Sequence, residues 1–403
     1  MHKAQLMIHN LEKQNIASLQ KLICLPLSKS VRARELVLNA LNGQCIEIEE
    51  ENDDLFVLSR ALFSVQSIKY NDEMLVLNLN NSGTALRFLT AYCAVSEGSF
   101  LLIGSKRLCE RPIKPLVDVL SGMGADIEYV DKEGFAPLKI DGRELKGGRV
   151  RLDASLSSQF SSALMLIADS VESGIEVEYK GDVVSQAYIE LTRKVIERYK
   201  SGVRYSEERD WSSATVWYAV MAVLRKGRFL FEGLSLDSWQ PDRKIVEVFE
   251  KLGVRTKAVE NGVEIEASGY VVEKLVLDCK NMPDAVMYIA VAACLLGVEF
   301  EIRGVDTLRV KESDRIEALM NEMRKCGYTI QCTMRNAQCI IYSLQKIQCD
   351  LNGQVPRIET YNDHRVAMAM AVVGLVMDIE IENPEVVNKS YPGFWKEFDR
   401  IKN

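Results

Sequence analysis

The chain is organised around Pro26-Leu27-Ser28-Lys29-Ser30-Val31-Arg32-Ala33-Arg34, which lies between an apolar run at 22–25 and a helical pattern at 35–41. The apolar run is typical of a strand. The helical pattern ends at Gly43, a residue type that commonly closes helices. The stretch therefore predicts a strand, a tight turn and a helix in close succession.

Cations crowd the turn of this first stretch. Ser28 or Ser30 is placed to cap the helix, which leaves free backbone N–H groups at its positive end. Ser30 and Arg34 are four residues apart and share a helix face beside Lys29, and Glu35 is the only acidic residue nearby. This pattern fits a binding site for an anion such as phosphate, and it fits equally a capped helix with a solvated basic face.

Bulk composition limits the classes of protein that the chain can belong to. A length of 403 residues favours two domains, and a net charge of −7 argues against nucleic acid or a membrane surface as the main partner. The ten cysteines form no CxxC pair, as expected of reduced thiols in a cytosol. The N-terminus has no long apolar run, so we expect no signal peptide. The longest apolar helical runs, 288–298 and 366–377, are shorter than the ~18 residues of a membrane span, and we expect a cytoplasmic protein.

Two kinds of helix alternate along the chain. The first kind is apolar on every face, which indicates burial, and begins near residues 30, 83, 158, 213, 284 and 365. The second kind is amphipathic and is closed by a glycine, at Gly124, Gly202, Gly253 and Gly327. This spacing indicates an internal repeat, each copy with a buried helix, an exposed helix and strands.

Six repeats divide most simply into two domains of three. The polar run at 206–210 interrupts the pattern halfway along the chain and predicts a domain boundary. Helices that are buried and alternate with strands predict an α/β protein whose sheets lie outside its helices.

The first turns of the buried helices hold the candidate functional residues. The motifs are Asn81-Ser82-Gly83-Thr84 with Arg87, Ser157-Ser158-Gln159, and Pro283-Asp284, and Glu110-Arg111-Pro112 precedes an exposed helix. Each motif alone also fits an ordinary structural role, as a turn, a helix cap, a dipole partner or a surface charge.

Three cationic segments lie in the second half of the chain, and the first, 309–315, is harder to explain as surface charge than the motifs above. Lys311 and Arg315 are four residues apart, and on one helix face they would cost about 0.2–0.5 kcal/mol unless an anion lay between them. Asn362-Asp363-His364-Arg365 opens a wholly apolar helix, so Arg365 must face a cleft or a carboxylate, and we favour the cleft. Lys389 adds a cation near the C-terminus.

Several common catalytic motifs are missing from the sequence. It contains no P-loop, GxGxxG turn or HExxH pair, and no Ser/His/Asp triad can be singled out. Two of the three histidines, His2 and His9, are at the N-terminus, which makes a histidine metal cluster implausible. We expect no metal.

Taken in order from about Leu25 to Pro392, these motifs resemble the EPSP synthase (3-phosphoshikimate 1-carboxyvinyltransferase) family of enolpyruvyl transferases. The resemblance implies a two-domain inside-out α/β prism, each domain with three βαβαββ-type units whose helices are buried inside outer sheets. We expect residues 28–208 to form the first domain, on the shikimate-phosphate side, and residues 1–27 with 209–403 to form the second.

The resemblance also implies a reaction. The enolpyruvyl group of phosphoenolpyruvate moves to the 5-hydroxyl of shikimate 3-phosphate and phosphate is released, in the shikimate pathway of aromatic amino-acid biosynthesis, without a cofactor. Each substrate carries a phosphate of about −1.5 to −2 charge and a carboxylate, which explains a need for many cations. Addition–elimination requires proton transfers at the hydroxyl and at the methylene carbon, and domain closure would expel water.

Roles for single residues follow from the same resemblance. Asp284 and Glu312 match the catalytic acid/base residues, and Lys29 matches a lysine that touches both substrates. The shikimate 3-phosphate site is matched by Lys29, Ser30, Arg34, Ser157, Ser158, Gln159, Ser185, Tyr188, Asp284, Thr307 and Lys311. The phosphoenolpyruvate pocket is matched by Lys29, Gly83, Arg111, Gln159, Arg315, Arg365 and Lys389. Supporting positions are matched by Asn81, Thr84, Arg87 and His364.

The sequence departs from the family pattern at several positions. Leu27 and Arg209 each stand where the family usually has Gly, and Phe88 stands where it usually has Pro. Arg32-Ala33 replaces the usual Ser-Asn, and Gln186-Ala187 replaces a basic residue followed by Pro. Thr307 stands where Asn is common. The interval from Gly202 to Asp210 is also too short for the strand pair that would end the third unit, so we expect one incomplete sheet.

Three alternatives stay open beside this interpretation. UDP-N-acetylglucosamine enolpyruvyl transferase shares the fold and donor, but its loop cysteine and nucleotide motifs are not recognisable. RNA 3′-phosphate cyclase would favour a basic surface, against the acidic balance here. A non-catalytic relative would not need to retain Lys29, Asp284 and Glu312. We expect anionic small-molecule substrates and a monomer, since no apolar helix face is left over.

Overall fold

The computed structural model describes residues 3–6, 20–67, 74–181, 183–203, 207–335, 338–343 and 355–402. The chain forms two compact units. We call Lys29–Ser206 the inserted unit, and Met1–Ser28 with Glu207–Asn403 the split unit. Among the described residues, none of the helices has the length and apolar character needed to cross a membrane.

The inserted unit alternates helices and strands. Its elements are α1 (Lys29–Leu41), α2 (Asp53–Gln66), β3 (Leu75–Asn78), α3 (Gly83–Val95), β4 (Gly98–Ile103), α4 (Lys106–Cys109), α5 (Lys114–Gly122), β5 (Asp126–Tyr129), β6 (Leu138–Gly142), β7 (Lys146–Asp153), α6 (Ser158–Ile167), β8 (Glu172–Lys180) and α7 (Gln186–Lys200). A four-stranded sheet has the order β3-β4-β6-β5, and β7 pairs with β8 in parallel.

The split unit contains the remaining elements. They are β1 (Lys3–Leu6), β2 (Gln20–Leu22), α8 (Trp211–Leu224), β9 (Arg228–Glu232), α9 (Ile245–Lys251), β10 (Val254–Val259), β11 (Gly262–Ala267), β12 (Lys274–Asp278), α10 (Val286–Leu296), β13 (Glu299–Arg303), α11 (Arg315–Lys325), β14 (Ile330–Arg335), β15 (Gln338–Ser343), β16 (Arg357–Ile358), α12 (His364–Val373), β17 (Ile379–Glu382) and α13 (Phe394–Lys402). Its sheets have the orders β1-β17-β16, β10-β11-β9-β2 and β12-β13-β15-β14.

The apolar helices form the cores of both units. In the split unit α8, α10 and α12 are buried along almost their whole length, and α1, α3 and α6 have the same role in the inserted unit. All six begin close to the positions that the sequence predicts. A helix without a polar face gains most of its stability from burial on every side, so the amphipathic helices and sheets surround it. The predicted inside-out α/β organisation is confirmed.

Two local predictions have different outcomes. The strand predicted at 22–25 is wrong in its position, because β2 ends at Leu22, although Ile23 N–H still donates to Leu230 O at 2.9 Å. The predicted incomplete sheet is confirmed for the described residues: β7 and β8 form a sheet of two strands, and no described strand lies between α7 and α8.

Candidate functional site

Arg34 is a buried cation in the inserted unit. It lies on α1, is 3% exposed, and donates to Thr192 Oγ1 at 2.8 Å, Ser162 Oγ at 3.1 Å and the Ser30 carbonyl at 2.6 Å. These partners are neutral oxygens, and burial lowers the pKa of Arg34 to about 10. Its guanidinium lies 5.5 Å from the ring centroid of Phe88. A desolvated guanidinium among neutral groups is stabilised by an anionic ligand.

Lys29, at the start of α1, has an acidic partner that the sequence interpretation missed. Its Nζ lies 2.8 Å from Asp54 Oδ2 on α2. In the sequence, Asp53 and Asp54 fit the acidic first turn that is common in helices, here capped by Asn52. This common pattern gives no sign that Asp54 pairs with Lys29. Arg32 pairs with Glu35 at 3.0 Å and also with Glu49. The expectation that only Glu35 neutralises the cations of this turn is therefore wrong.

The predicted serine cap of α1 is also wrong. Ser30 lies inside the helix, and the Ser28 hydroxyl is buried without a hydrogen-bond partner among the described residues. The predicted placement of Ser30 and Arg34 on one helix face is confirmed by the bond from Arg34 Nη1 to the Ser30 carbonyl.

The N-terminus of α3 forms a second cluster in the inserted unit. A Cβ added at Gly83 would lie 2.4 Å from Arg111 Nη1, so the guanidinium of Arg111 lies directly against the Gly83 backbone. Arg87 donates to the Gly83 carbonyl at 3.1 Å and to the Pro112 carbonyl at 2.9 Å, which ties the two segments together. The absence of a side chain at Gly83 makes this close approach of Arg111 to the helix N-terminus possible.

Helix α6 brings further polar residues to the same cluster. Gln159 Nε2 donates to Thr84 Oγ1 at 3.0 Å, and the Ser157 hydroxyl caps α6 by accepting from Gln159 N–H at 3.2 Å. Ser158 is buried. Asn81 Oδ1 accepts a hydrogen bond from the Ser105 hydroxyl at 3.4 Å. The capping role predicted for this serine motif is confirmed.

Two other predicted residues lie at the start of α7. Ser185, 6% exposed, precedes the helix with a φ of 53°, in the left-handed region that non-glycine residues rarely adopt. The Tyr188 carbonyl lies 3.5 Å from Arg34 Nη2. Tyr188 is therefore joined to the buried cation through its backbone.

In the split unit, three cations converge on one carboxylate. Asp284 lies in a 3₁₀ turn, Pro283–Ala285, that precedes α10. The cations that reach it are Arg315 Nη1 at 2.8 Å and Lys311 Nζ at 3.4 Å from Oδ1, and Arg365 Nη2 at 3.3 Å from Oδ2. Burial opposes ionisation, but these cations outweigh it and hold the pKa of Asp284 well below its usual range. The expectation that Arg365 faces an open cleft is wrong, because it faces this carboxylate.

Arg315 is the centre of the surrounding ion network. It is 1% exposed, and its Nε donates to Asp363 Oδ2 at 2.7 Å while its Nη2 donates to Glu312 Oε2 at 2.8 Å. Burial lowers its pKa, and the neighbouring carboxylates of Asp363, Glu312 and Asp284 more than reverse this, so its pKa is raised. Arg315 therefore stays cationic and fixes the positions of both candidate acid/base residues.

Lys311 does not lie on the helix face that its spacing from Arg315 predicts. Helix α11 begins at Arg315, and Lys311 has an extended backbone just after the 3₁₀ turn Asp306–Val310. Both side chains nevertheless reach Asp284. The predicted anion between the two cations is thus the carboxylate of Asp284, and the predicted shared helix face is wrong.

Other predicted residues surround this network. Lys389 Nζ lies 3.8 Å from Glu312 Oε1, and His364 is buried at the start of α12 beside Asp363. The hydroxyl oxygen of Thr307 is buried without a hydrogen-bond partner in the described part of the chain. This hydroxyl can therefore still accept a hydrogen bond from a ligand or donate one to it.

Three residues of this region were missed from the sequence. Asp363 was seen only as part of a motif, yet its carboxylate caps α12 and binds Arg315. Asp242 is 1% exposed and accepts from Ser212 Oγ; burial, followed by the charge of Asp284, raises its pKa to about 6. Burial raises the pKa of Tyr288 to about 12, against the opposing charge of Arg365. Only Asp363 carried a sequence signal, as the residue before an apolar helix.

The arrangement can bind anions and transfer protons. Among the described residues, no three His, Cys, Asp or Glu side chains are grouped closely enough to hold a metal ion. The split unit holds the carboxylates of Asp284, Glu312 and Asp363 within a set of arginines and lysines, and the inserted unit holds Lys29, Arg34 and Arg111. Fixed cations beside carboxylates suit acid/base chemistry on phosphorylated substrates.

Comparison with known proteins gives consistent results. The family model for EPSP synthase (3-phosphoshikimate 1-carboxyvinyltransferase) matches residues 16–211 and 199–398. A 3-phosphoshikimate 1-carboxyvinyltransferase of Bacteroides fragilis strain YCH46 is 35% identical, over 93% of each chain. One from Syntrophobacter fumaroxidans is 34% identical, over 96% of this chain and 98% of that protein. The solved EPSP synthase of Acinetobacter baumannii has a TM-score of 0.66 at 20% identity, over 95% of this chain and 96% of that chain, and shows a shared fold.

Proposed function

The chain belongs to the EPSP synthase (3-phosphoshikimate 1-carboxyvinyltransferase) family, and from that membership we propose how its side chains carry out the family's reaction. The chain transfers the enolpyruvyl group of phosphoenolpyruvate to the 5-hydroxyl of shikimate 3-phosphate and releases phosphate. This transfer is a step of aromatic amino-acid biosynthesis. The roles of single residues, given below, are our proposal.

The main support for the proposed residue roles is that three cations, Arg315, Lys311 and Arg365, converge on Asp284. Both substrates bring a phosphate and a carboxylate, which can replace Asp284 as the partner of these cations. Asp284 then loses the positive charges that hold its pKa down and becomes a stronger base. In our proposal it takes the proton of the attacking 5-hydroxyl.

Glu312 is the proposed second acid/base residue. Its carboxylate is fixed by Arg315 Nη2 at 2.8 Å and lies 3.8 Å from Lys389 Nζ. In the addition step the methylene carbon gains a proton and the substrate oxygen bonds to the adjacent carbon. In the elimination step the methyl group formed by the addition loses a proton, the C–O bond to phosphate breaks, and the phosphate leaves with the proton that Asp284 took from the 5-hydroxyl. Glu312 handles the methylene proton in both steps, with Lys29 stabilising charge.

Binding roles are distributed over both units. The proposed ligands of shikimate 3-phosphate are Lys29, Ser30, Arg34, Ser157, Ser158, Gln159, Ser185, Tyr188, Asp284, Thr307 and Lys311. The proposed ligands of phosphoenolpyruvate are Lys29, Gly83, Arg111, Gln159, Arg315, Arg365 and Lys389, with Asn81, Thr84, Arg87 and His364 in support. The buried Arg34, bonded to neutral oxygens, and the Arg111 guanidinium against Gly83 support these roles in the inserted unit.

The organisation of the protein is part of the same proposal. We assign residues 28–208 to the first family domain and residues 1–27 with 209–403 to the second, close to the bounds of the two compact units. We also propose a monomer in the cytoplasm, a compartment that keeps thiols reduced, and the nine described cysteines are all free.

Phosphate release tests the proposal. The purified chain should release phosphate when phosphoenolpyruvate and shikimate 3-phosphate are both supplied, and not with either substrate alone. UDP-N-acetylglucosamine in place of shikimate 3-phosphate is the control acceptor. Release with the UDP-sugar and none with shikimate 3-phosphate would contradict the proposed substrate.

A further inference from the structure

Two cysteine sulfurs lie in contact on the hairpin of β14 and β15. Cys332 Sγ and Cys339 Sγ are 2.7 Å apart. In the register of the hairpin Cys332 is opposite Ile341 and Cys339 is opposite Met334, so the two thiols meet along a diagonal. No other pair among the nine described cysteines has its sulfurs in hydrogen-bond contact. The two thiols are therefore placed to react with each other.

The surroundings distinguish the two sulfurs. Arg309 Nη2 lies 3.4 Å from Cys332 Sγ and 4.0 Å from Cys339 Sγ, so its positive charge is placed to stabilise the negative charge that a cysteine sulfur carries when it attacks. Cys332 is half-buried, whereas Cys339 is 1% exposed. Burial, followed by its contact with Cys332, raises the pKa of Cys339 to about 12. Cys339 therefore keeps its proton and can donate it to the Cys332 sulfur.

We propose that Cys332 and Cys339 form a redox-active modification site that hydroperoxides such as hydrogen peroxide convert into a disulfide. The Cys332 thiolate attacks one peroxide oxygen, which breaks the O–O bond, and with one proton the products are a sulfenic acid and water. The Cys339 sulfur then attacks the sulfenic sulfur, forming the S–S bond, and the hydroxyl leaves as a second water with the Cys339 proton. In total, two thiols and one peroxide give one disulfide and two waters.

The pair is attached to the chain segment that carries two candidate site residues. Cys339 N–H donates to Asp306 Oδ1 at 2.8 Å, at the start of the 3₁₀ turn Asp306–Val310. Arg309 in that turn pairs with Asp314 at 3.0 Å, and the chain between them contains Lys311 and Glu312. Oxidation at this hairpin therefore takes place beside the segment that positions a proposed acid/base residue.

The test follows the thiols directly and does not depend on turnover. The reduced full-length chain is treated with graded hydrogen peroxide without denaturant and is then unfolded in denaturant. Its remaining thiols are alkylated, and its peptides are mapped by mass spectrometry. We expect a Cys332–Cys339 linked peptide at peroxide doses that leave the buried Cys294 and Cys326 alkylatable. Dithiothreitol should restore both thiols.

Single variants separate the proposed roles of the two sulfurs. In C339S we expect Cys332 to accumulate as a sulfenic acid that dimedone traps, and in C332S we expect Cys339 to stay reduced. Replacing Arg309 with Gln should slow formation of the disulfide several-fold, and C294S is the matched control with unchanged oxidation. Equal peroxide reactivity of all cysteines, or oxidation of Cys339 in C332S at the wild-type rate, would overturn the proposal.

Discussion

Asp284, the base in our proposal, is held in place by both its charged partners and its backbone. It is the shared partner of Arg315, Lys311 and Arg365, and those cations hold its pKa well below its usual range. It lies in a short turn before an apolar helix, so its backbone is fixed by burial of that helix. The same contacts therefore fix the positions of the proposed base and of the cations that we propose bind the substrates.

Removing this carboxylate should stop turnover and leave the fold intact. For Asp284→Asn we expect kcat to fall by about 10²–10⁴-fold, the range for a lost general base. Phosphate release with both substrates measures the effect, and circular dichroism checks the fold. The exposed Asp237→Asn in the same unit is the control. Wild-type turnover in Asp284→Asn would remove Asp284 from the proposed mechanism.

A methyl group at Gly83 should act on substrate affinity through Arg111. The added Cβ would lie 2.4 Å from Arg111 Nη1, and the flexible guanidinium can move away more easily than the backbone. We expect Gly83→Ala to raise KM for phosphoenolpyruvate by about tenfold, or 1.4 kcal/mol, with a smaller change in kcat. At Gly122 in α5 a Cβ would meet nothing within 4 Å, so Gly122→Ala is the matched control. An unchanged KM in Gly83→Ala would argue against the role of Arg111.

Asp242 should make stability depend on pH. Its folded pKa of about 6 exceeds the usual value near 3.9 in an unfolded chain, so the unfolded state releases this proton first as the pH rises. The resulting loss of stability develops between about pH 4 and pH 6 and is complete above that range. The charged groups that act on this carboxyl are Asp284, Arg365 and Asp210.

Asp242→Asn removes this titration and still accepts the Ser212 hydrogen bond. We expect the variant to be more stable than the wild type by about 1–3 kcal/mol at pH 8 and equally stable at pH 4. Urea unfolding followed by tryptophan fluorescence measures the difference. A difference of the same size at both pH values would show that Asp242 does not titrate in this range.

At the scale of elements, helix α11 links the ion network to the fold. Its N-cap residue Asp314 accepts from the N–H groups of Ile316 and Glu317, both at 3.1 Å, and also pairs with Arg309. Arg315 follows directly and carries the bonds to both candidate acid/base residues. The cap therefore stabilises the helix end from which the site is organised.

Removing the capping oxygen of Asp314 should lower the stability of the protein more than removing only its negative charge. For Asp314→Ala we expect the free energy of unfolding to fall by about 0.5–2 kcal/mol, whereas Asp314→Asn keeps the capping oxygen and should lose less than half of that. Thermal and urea unfolding of the two variants provide the comparison. Equal losses would indicate that the Arg309 pair, and not the cap, is the stabilising contact.

At the scale of the whole molecule, the chain builds the split unit from both of its ends. Trp217 on α8 lies 6.0 Å from Phe229 on β9 and 5.9 Å from Phe394 on α13, measured between ring centroids. These contacts join the C-terminal helix to the core. All four tryptophans of the chain lie in the split unit, so their fluorescence reports its unfolding.

The buried tryptophan should be central to the stability of this unit. For Trp217→Ala we expect a loss of about 3–5 kcal/mol, because a large cavity remains in the aromatic cluster. The control is Trp239→Ala, since Trp239 is 48% exposed and its removal should change stability by less than about 0.5 kcal/mol. Unfolding by urea, followed by the remaining tryptophans, tests both. Similar losses in the two variants would contradict the central position of Trp217.

Much of the fold could be predicted because its signals are local. The six apolar helices, the glycines that close the exposed helices and the absence of a strand between α7 and α8 among the described residues all follow from periodicity and spacing. The order of the motifs was enough to identify the family. The sequence by itself thus determined the fold class, the family and its reaction.

The partners of the charged residues were decided by tertiary structure alone. Asp54 meets Lys29 across 25 positions and Asp363 meets Arg315 across 48, and no local pattern records such a contact. Lys311 and Arg315 both pair with Asp284, but Lys311 follows a 3₁₀ turn, whereas their spacing suggested one shared helix face. The thiol pair likewise depends on hairpin register. Helix and strand patterns depend on near neighbours, whereas ion pairs depend on which distant elements pack together and how far water is excluded.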